Sequence, residues 1–419
     1  MKAKEPIAGG LPDAKTLMTM APIISAVALA LFGMSPGCDT TKLAEHVQVL
    51  RPNGPNSPQT PPPNGQPPFI WPTSRPTSNP TPPQDAQFPQ QIPQQFPTST
   101  QTPPSSGFHT YQMAFWNMEN FFDDHDDGRK TKGDMEYDSW LSRNPQMLQL
   151  KLQKLTEGLL SLNGGKGPDI VACAELESKR SAELLQQALN AKLDPSLHYT
   201  NVVMVEIKNA GRHIAPAIIT RLPVNGSRTK LLGSRQRILK THVVVGQREL
   251  TIIVGHWTSR LMGGAEKRME YAKTIYGECN SIYHANPKAD IIVCGDFNDD
   301  PIDPSVIDGL HSTNNFQAAL AGNNGHLVLY NIFGNWTHNS GFGTLYYKGW
   351  NLFDQFHVSP GMLDREGWNC DPASVRIGNH LAKPNDPARH PWRFGGEKDT
   401  GPRGYSDHFP VTIQLRAAP

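Results

Sequence analysis

Apolar residues downstream of about position 108 gather in short runs rich in β-branched and aromatic side chains: 112–116, 169–174, 215–220, 248–255, 290–294, 353–359 and 409–415. Several of these runs lack strict apolar–polar alternation, which predicts strands covered on both faces. Between them the period lengthens. Leu148, Leu152, Leu155 and Leu159 recur at helical spacing, residues 181–193 carry Leu184, Leu185 and Leu189, and Met269, Ala272, Tyr276 and Cys279 share one apolar face. Strands interleaved with amphipathic helices through one long core predict a layered α/β sandwich. No internal repeat breaks this pattern.

The preceding residues follow a different rule. Residues 1–38 hold Lys2, Lys4 and Lys15, then a short apolar stretch around 21–33, then Ser35-Pro-Gly-Cys38. A basic start, a short apolar core and small residues read as an export signal rather than a membrane span, which needs ~20 apolar residues. Cys38 after Gly37 resembles a bacterial lipoprotein cleavage site, so it is the candidate lipid attachment point. Residues 39–107 form a tether. Positions 51–106 alone hold 18 of the chain's 38 prolines, with only Arg51, Arg75 and Asp85 charged. Such a stretch buries too little apolar surface to offset the entropy of ordering. The organisation expected is therefore signal (1–38), linker (39–107) and one folded domain (108–419), placed in the cell envelope by a lipid anchor or secreted.

Within 108–419 the charges balance, 33 basic against 33 acidic, so no generally DNA-adhesive surface is expected, although a local basic patch is compatible with that balance. Cys173, Cys279 and Cys294 read as small buried hydrophobes, Cys370 as paired or free, and the spacings resemble no zinc site.

Polar groups recur at the ends of the apolar runs. Asn117 and Glu119 close the first, Glu175 follows the second, and His256 the fourth; Asp296 and Asn298 follow the fifth, Asp354 opens the sixth, and Asp407 and His408 precede the last. Singly, each is explained by turn chemistry. Nine on a common set of strand ends are not. Asn117, Glu119, Glu175 and Asp407 are hard oxygen ligands, a set that suits Mg²⁺ or Mn²⁺. His408 is the candidate base, with Asp354 to hold its tautomer, and Asp296 is an alternative group for orienting water. His256 is the candidate acid, and Asn298 can donate to a developing phosphorane oxygen.

These marks also resemble a known family. Phe115-Trp-Asn-Met-Glu-Asn-Phe-Phe-Asp123, Asp169-Ile-Val-Ala-Cys-Ala-Glu-Leu176, His256-Trp-Thr-Ser-Arg260, Gly295-Asp-Phe-Asn-Asp299, Phe353-Asp-Gln355 and Tyr405-Ser-Asp-His-Phe-Pro410 keep the order and spacing of the endonuclease/exonuclease/phosphatase superfamily. The resemblance spans 112–415. It implies a four-layered α/β sandwich with two central mixed, mostly antiparallel sheets and a Mg²⁺-dependent phosphoesterase site at one end. By the same resemblance Glu175 is the principal metal ligand beside Asn117, Glu119 and Asp407. Asp296 and Asn298 act on nucleophile and phosphate, Asp354 pairs with His408, and His256 matches the second histidine of the deoxyribonuclease and sphingomyelinase branches. Ala174, Gly255 and Gln355 depart from the family pattern without removing a chemical group.

The substrate expected is a nucleic acid. Arg228, Lys230, Arg235, Arg237 and Lys240 form one basic string, and residues 376–403 a looser one, either of which can hold polymer phosphates. Trp350 and Trp392 are candidates for base stacking or for packing. The alternatives are a phosphatase or phospholipid phosphodiesterase of inositol phosphate or sphingomyelin type, and a surface binding protein with a retired site. The protein is expected to be a monomer, held at a membrane by the lipid if Cys38 is modified. Cys38→Ser is expected to shift the protein from the membrane to the soluble fraction, as read by fractionation; unchanged partitioning would rule out lipid on that thiol.

Overall fold

The computed structural model describes residues 108–207 and 211–418. The expected signal, linker and Cys38 lie outside the described residues. In chain order the strands are β1 (His109–Phe121), β2 (Ile170–Leu176), β3 (Asn201–Val203), β4 (Ala215–Thr220), β5 (Lys230–Leu231), β6 (Ile238–Val245), β7 (Arg248–His256), β8 (Ile291–Asp296), β9 (Ser312–Thr313), β10 (Leu329–Asn331), β11 (Leu345–Tyr346), β12 (Trp350–Asn351), β13 (Asp354–Val358), β14 (Trp368–Ile377) and β15 (Val411–Ala417). The α-helices are α1 (Lys132–Arg143), α2 (Pro145–Leu160), α3 (Lys179–Asn190), α4 (Ala265–Ala285) and α5 (Phe316–Ala321).

Two sheets carry the domain: a six-stranded one ordered β14-β15-β1-β2-β4-β3 and a seven-stranded one ordered β5-β6-β7-β8-β13-β10-β9. Three pairings are parallel, β1–β2, β7–β8 and β9–β10, and the rest are antiparallel. Side chains on a strand point alternately to its two faces. Met113 and Phe115 of β1, Ile170 and Ala172 of β2, Ile252 and Val254 of β7, and Ile292 and Cys294 of β8 thus fill the core between the sheets. Their neighbours turn outward. Ala114, Trp116, Val171 and Cys173 meet Leu148, Leu155 and Leu159 of α2 and Leu185 and Leu189 of α3. Ile253, Ile291 and Val293 meet Ala272, Ile275 and Cys279 of α4. Helix, sheet, sheet, helix is the four-layered sandwich expected, and burial on both faces explains the missing alternation.

All seven apolar runs are strands. Two long strands carried no such signal. β6 (ILKTHVVV) holds Lys240 and His242, and Lys240 is buried only because its ammonium reaches Glu278 of α4 at 2.6 Å. β14 lies at the sheet edge, contains Pro372, and slips register against β15 between Asp371 and Arg376. Cys173, Cys279, Cys294 and Cys370 are all free and buried, so Cys370 is unpaired. No helix among the described residues is long and apolar enough to cross a membrane.

The strands that end at the site are crowded. Gly255 of β7 and Gly295 of β8 stand side by side in parallel register. A Cβ on Gly295 would come within 2.2 Å of the Gly255 carbonyl oxygen. Gly295→Ala is therefore expected to destabilise the fold by about 3 kcal/mol, seen as a lower urea midpoint; an unchanged midpoint would contradict this packing.

Candidate active site

Backbone irregularities at adjacent strand ends aim the acids. β1 shifts register against β2 between Asn117 and Phe121, and β2 shifts against β4 between Cys173 and Leu176. Such bulges re-aim side chains at sheet rims. Glu119, Asn120, Glu175 and Asn298 have φ of 50, 50, 62 and 50°, left-handed backbone that a non-glycine residue adopts at a cost. The Glu175 carboxylate is held by the Asn120 amide, which donates to Oε2 at 2.7 Å.

The chemical groups then meet across the two sheets. His408 Nδ1 lies 2.8 Å from Asp354 Oδ2, joining the segment before β15 to β13 of the other sheet. Asn117 Nδ2 donates to Asp296 Oδ2 at 3.0 Å, from β1 to β8. His256 Nε2 stands 3.5 Å from Glu175 Oε1, from β7 to β2. The histidines flank Asp296: His408 Nε2 and His256 Nε2 lie 3.8 and 4.0 Å from its Oδ2. Both separations exceed a direct hydrogen bond, and one oxygen placed beside these three groups can bond to each. Asn298 donates its backbone N–H to Asp296 Oδ1 at 2.9 Å and its side-chain amide to the Trp257 carbonyl at 3.1 Å.

Electrostatics separate the two histidines. Burial opposes charge on His408, but Asp354 and Asp296 outweigh it and raise its pKa well above the usual imidazole value. For His256, burial and the Arg237 guanidinium lower the pKa. Its Nδ1 is 3.1 Å from an Arg237 terminal nitrogen and 3.2 Å from the Ile214 carbonyl oxygen. His408 is thus set to carry a proton and His256 to remain neutral.

The four expected metal-side groups differ in what already holds them. Burial, with Glu119 and Glu175 nearby, pushes Asp407 up to about 7, and its carboxylate accepts no hydrogen bond from protein among the described residues. Burial opposes ionisation of Glu175 too, but His256 and Arg212 hold its pKa below the ordinary value. Asn117 Oδ1 accepts the Glu119 amide at 3.0 Å. Glu119 is the most committed: Oε1 accepts from Arg393 Nε at 3.1 Å and the Gly395 amide at 3.0 Å, and Oε2 from the Phe394 amide at 2.6 Å. Its carboxylate anchors the 393–395 backbone. The excess of buried carboxylate around Asp407 is what a divalent cation neutralises, so Glu175, Asp407 and Asn117 fit such an ion by donor chemistry and charge. Asp296, Asp354 and His408 have ligand atoms close enough to share one ion, but His408 already pairs with Asp354; Glu119, Glu175 and Asp407 are not drawn together that closely.

Several charged neighbours escaped the sequence pattern. Lys151 of α2 is buried and donates to the carbonyls of Glu119 at 3.3 Å and Tyr405 at 3.2 Å; burial lowers its pKa to about 8. Its signal was present, since it stands on the apolar stripe of α2 between Leu148 and Leu155. Arg212 reaches Asn120 Oδ1 at 2.7 Å and Asp134 at 2.9 Å. Ser406 donates to the Asn117 carbonyl at 2.6 Å and so ties the Asp407–His408 segment to β1.

The basic strings are less open than their sequence suggests. Arg228 pairs with Glu249, and Lys230 and Lys240 both reach Glu278. Arg237 contacts His256. Arg376 and Arg403 donate to backbone carbonyls. Trp350 stacks on Phe409, centroids 6.2 Å apart, so it packs.

A two-sheet sandwich with an Asp–His pair facing a cluster of acids and amides at one end is a phosphoesterase type of architecture. The chain belongs to the endonuclease/exonuclease/phosphatase family, whose model matches residues 112–417. No curated protein matches the sequence. Among solved structures it is similar to D. rerio TDP2 complexed with a single-strand DNA product, at 15% identity over 73% of this chain and 98% of that one, with a TM-score of 0.43. It is also similar to a mannosyl-6-phosphatase of Bacteroides thetaiotaomicron, at 14% identity over 73% and 99%, TM-score 0.43. Sphingomyelinase C of Streptomyces griseocarneus aligns at 10% identity over 74% and 100%, TM-score 0.44.

The bonding of the two glutamates separates their roles. Glu175→Gln is expected to weaken divalent-cation affinity at least tenfold by calorimetry and to leave the melting temperature nearly unchanged. Glu119→Gln sets an amide against three donors and is expected to cost about 2 kcal/mol of stability, read in urea unfolding. The reverse pattern would make Glu119 the ion's main ligand.

Proposed function

We propose that this protein is a divalent-metal-dependent phosphodiester hydrolase, with Mg²⁺ or Mn²⁺ as the ion and a nucleic acid as the substrate. The observation that carries the reading is the 2.8 Å Asp354–His408 pair directed at Asp296. Once it has released the proton it carries at rest, the imidazole, held by the Asp354 carboxylate on Nδ1, presents Nε2 to the attacking water in one orientation and takes that water's proton, and the same carboxylate stabilises the imidazolium that re-forms. Asp296, held by Asn117 and the Asn298 amide, orients that water. His256, neutral and held at Nδ1, offers Nε2 as a hydrogen-bonding partner to a phosphoryl or leaving oxygen, and protonates it once charged. Glu175 and Asp407, with Asn117, hold the ion, which when bound offsets phosphate charge.

A second reading, a phosphatase or phospholipid phosphodiesterase, is favoured by the pairing of Arg228, Lys230 and Lys240 with Glu249 and Glu278, which leaves fewer cations for a polymer backbone. Export by residues 1–38, attachment through Cys38 and action as a tethered monomer complete the proposal. They rest on sequence alone.

With Mg²⁺ or Mn²⁺ the full chain is expected to cleave plasmid DNA or RNA. EDTA is expected to abolish the activity, and His408→Ala to lower it by about three orders of magnitude. Intact nucleic acid beside rapid, salt-insensitive turnover of an inositol phosphate or sphingomyelin would establish the second reading instead.

A further inference from the structure

The loop between β14 and β15 borders an open cleft of about 800 Å³ lined by residues drawn from 383–403. This wall touches the site at both ends. On one side the amides of Phe394 and Gly395 and Arg393 Nε bind Glu119. On the other, His390 lies 4.0 Å from the ring of Tyr346 and 5.9 Å from Trp350, which stacks on Phe409 next to His408. The segment carrying Asp407 and His408 sets the wall's position directly: Tyr405 N donates to the Trp392 carbonyl at 2.5 Å and Gly404 N to the Arg393 carbonyl at 3.0 Å.

Two side chains of this wall have chemistry to offer. Arg393 is tied only through Nε; its side chain is 60% exposed, and its terminal nitrogens make no protein hydrogen bond among the described residues. A guanidinium held on one edge presents the other to an anion with little entropy left to lose. Trp392 lines the cleft with its indole N–H fixed on the Pro402 carbonyl at 3.3 Å, which holds the ring in place. The wall's acids are already engaged. Asp386 is bound to His390 at 2.7 Å and Asp399 accepts the Gly396 amide at 2.7 Å.

We propose that this cleft is a substrate subsite for the non-scissile part of a nucleic-acid strand, in which Trp392 stacks on a base and Arg393 binds the adjoining phosphate. The proposal rests on the phosphodiesterase reading above and names the part of the substrate that the reacting groups do not touch. The subsite places a base and a second phosphate beside the metal side of the site. It also explains how a domain whose other basic string has three of its five cations paired with acids can hold a strand: few contacts, one aromatic and one cationic, replace a wide basic surface.

The test compares two substrates on the full chain with Mg²⁺ or Mn²⁺: methyl p-nitrophenyl phosphate, with one phosphate and no base, and single-stranded oligothymidylate. Trp392→Leu is expected to lower the ratio of oligonucleotide to small-diester kcat/KM about tenfold, mainly through KM, and Trp392→Phe to restore it to within about threefold. Arg393→Gln is expected to reduce the slope of log KM against log salt by about 0.7, the share of one single-strand phosphate contact. Binding is read apart from turnover, as fluorescence quenching on titration with oligothymidylate, which Trp392→Leu should weaken about tenfold. An unchanged ratio, slope and quenching in these variants would overturn the subsite, as would small-diester turnover by a parent chain that neither binds nor cleaves oligothymidylate. Oligothymidylate binding that depends on Trp392, without turnover of either substrate, would sustain the subsite and overturn the hydrolase reading.

Discussion

The three contacts that join the site's reacting groups into one cluster run between the two sheets. Asp354 belongs to the seven-stranded sheet and its partner His408 enters the six-stranded one; Asn117 and Asp296 are divided the other way, as are Glu175 and His256. Each sheet supplies half of each of these three pairs. The separation of the sheets, set by Phe115, Ile252, Val254, Ile292 and Phe356 between them, therefore fixes hydrogen-bond lengths at their rim. Packing at interior density leaves little play, and small errors in that core become misplaced reacting groups.

Burying this much acid in one place is costly, and the surroundings answer the cost unevenly. Around Asp296 two imidazoles and two amides converge. Around Asp407 the compensation is weaker: Lys151 is near but its own charge is disfavoured by burial, and Arg393 is shared with Glu119. The half of the site left electrically incomplete by protein is the half whose donors suit a hard divalent ion. The half where protein groups supply more of the compensation is the one suited to proton transfer.

Much of this arrangement is legible in the amino-acid sequence. Runs such as 290–294 read as strands because burial on both faces leaves them continuously apolar, and a polar residue at the end of such a run has only the sheet rim to occupy. That logic places all nine chemical groups at one end of the sandwich. It does not reach commitments formed by distant residues. Glu119 looks like Glu175 in sequence, yet a loop 274 residues away claims its oxygens. The basic string at 228–240 looks open until Glu249 and Glu278 claim three of its five cations. Lys151 is the converse case, a charge on an apolar stripe whose partners, the carbonyls of Glu119 and Tyr405, no periodicity reveals. β6 and β14 escape the pattern because a buried lysine in one and a proline with a register slip in the other hide the strand signal.

The central claim is that the bond across the sheets to Asp354 sets the charge state and orientation of His408. Its most direct test is an NMR titration of the His408 ring in the metal-free protein, alone and with Asp354→Asn. The account predicts that His408 in the parent stays protonated well above the usual imidazole range and that the asparagine variant titrates substantially lower. A His408 that titrates at the ordinary value in the parent, or at the same pH in both proteins, would contradict it.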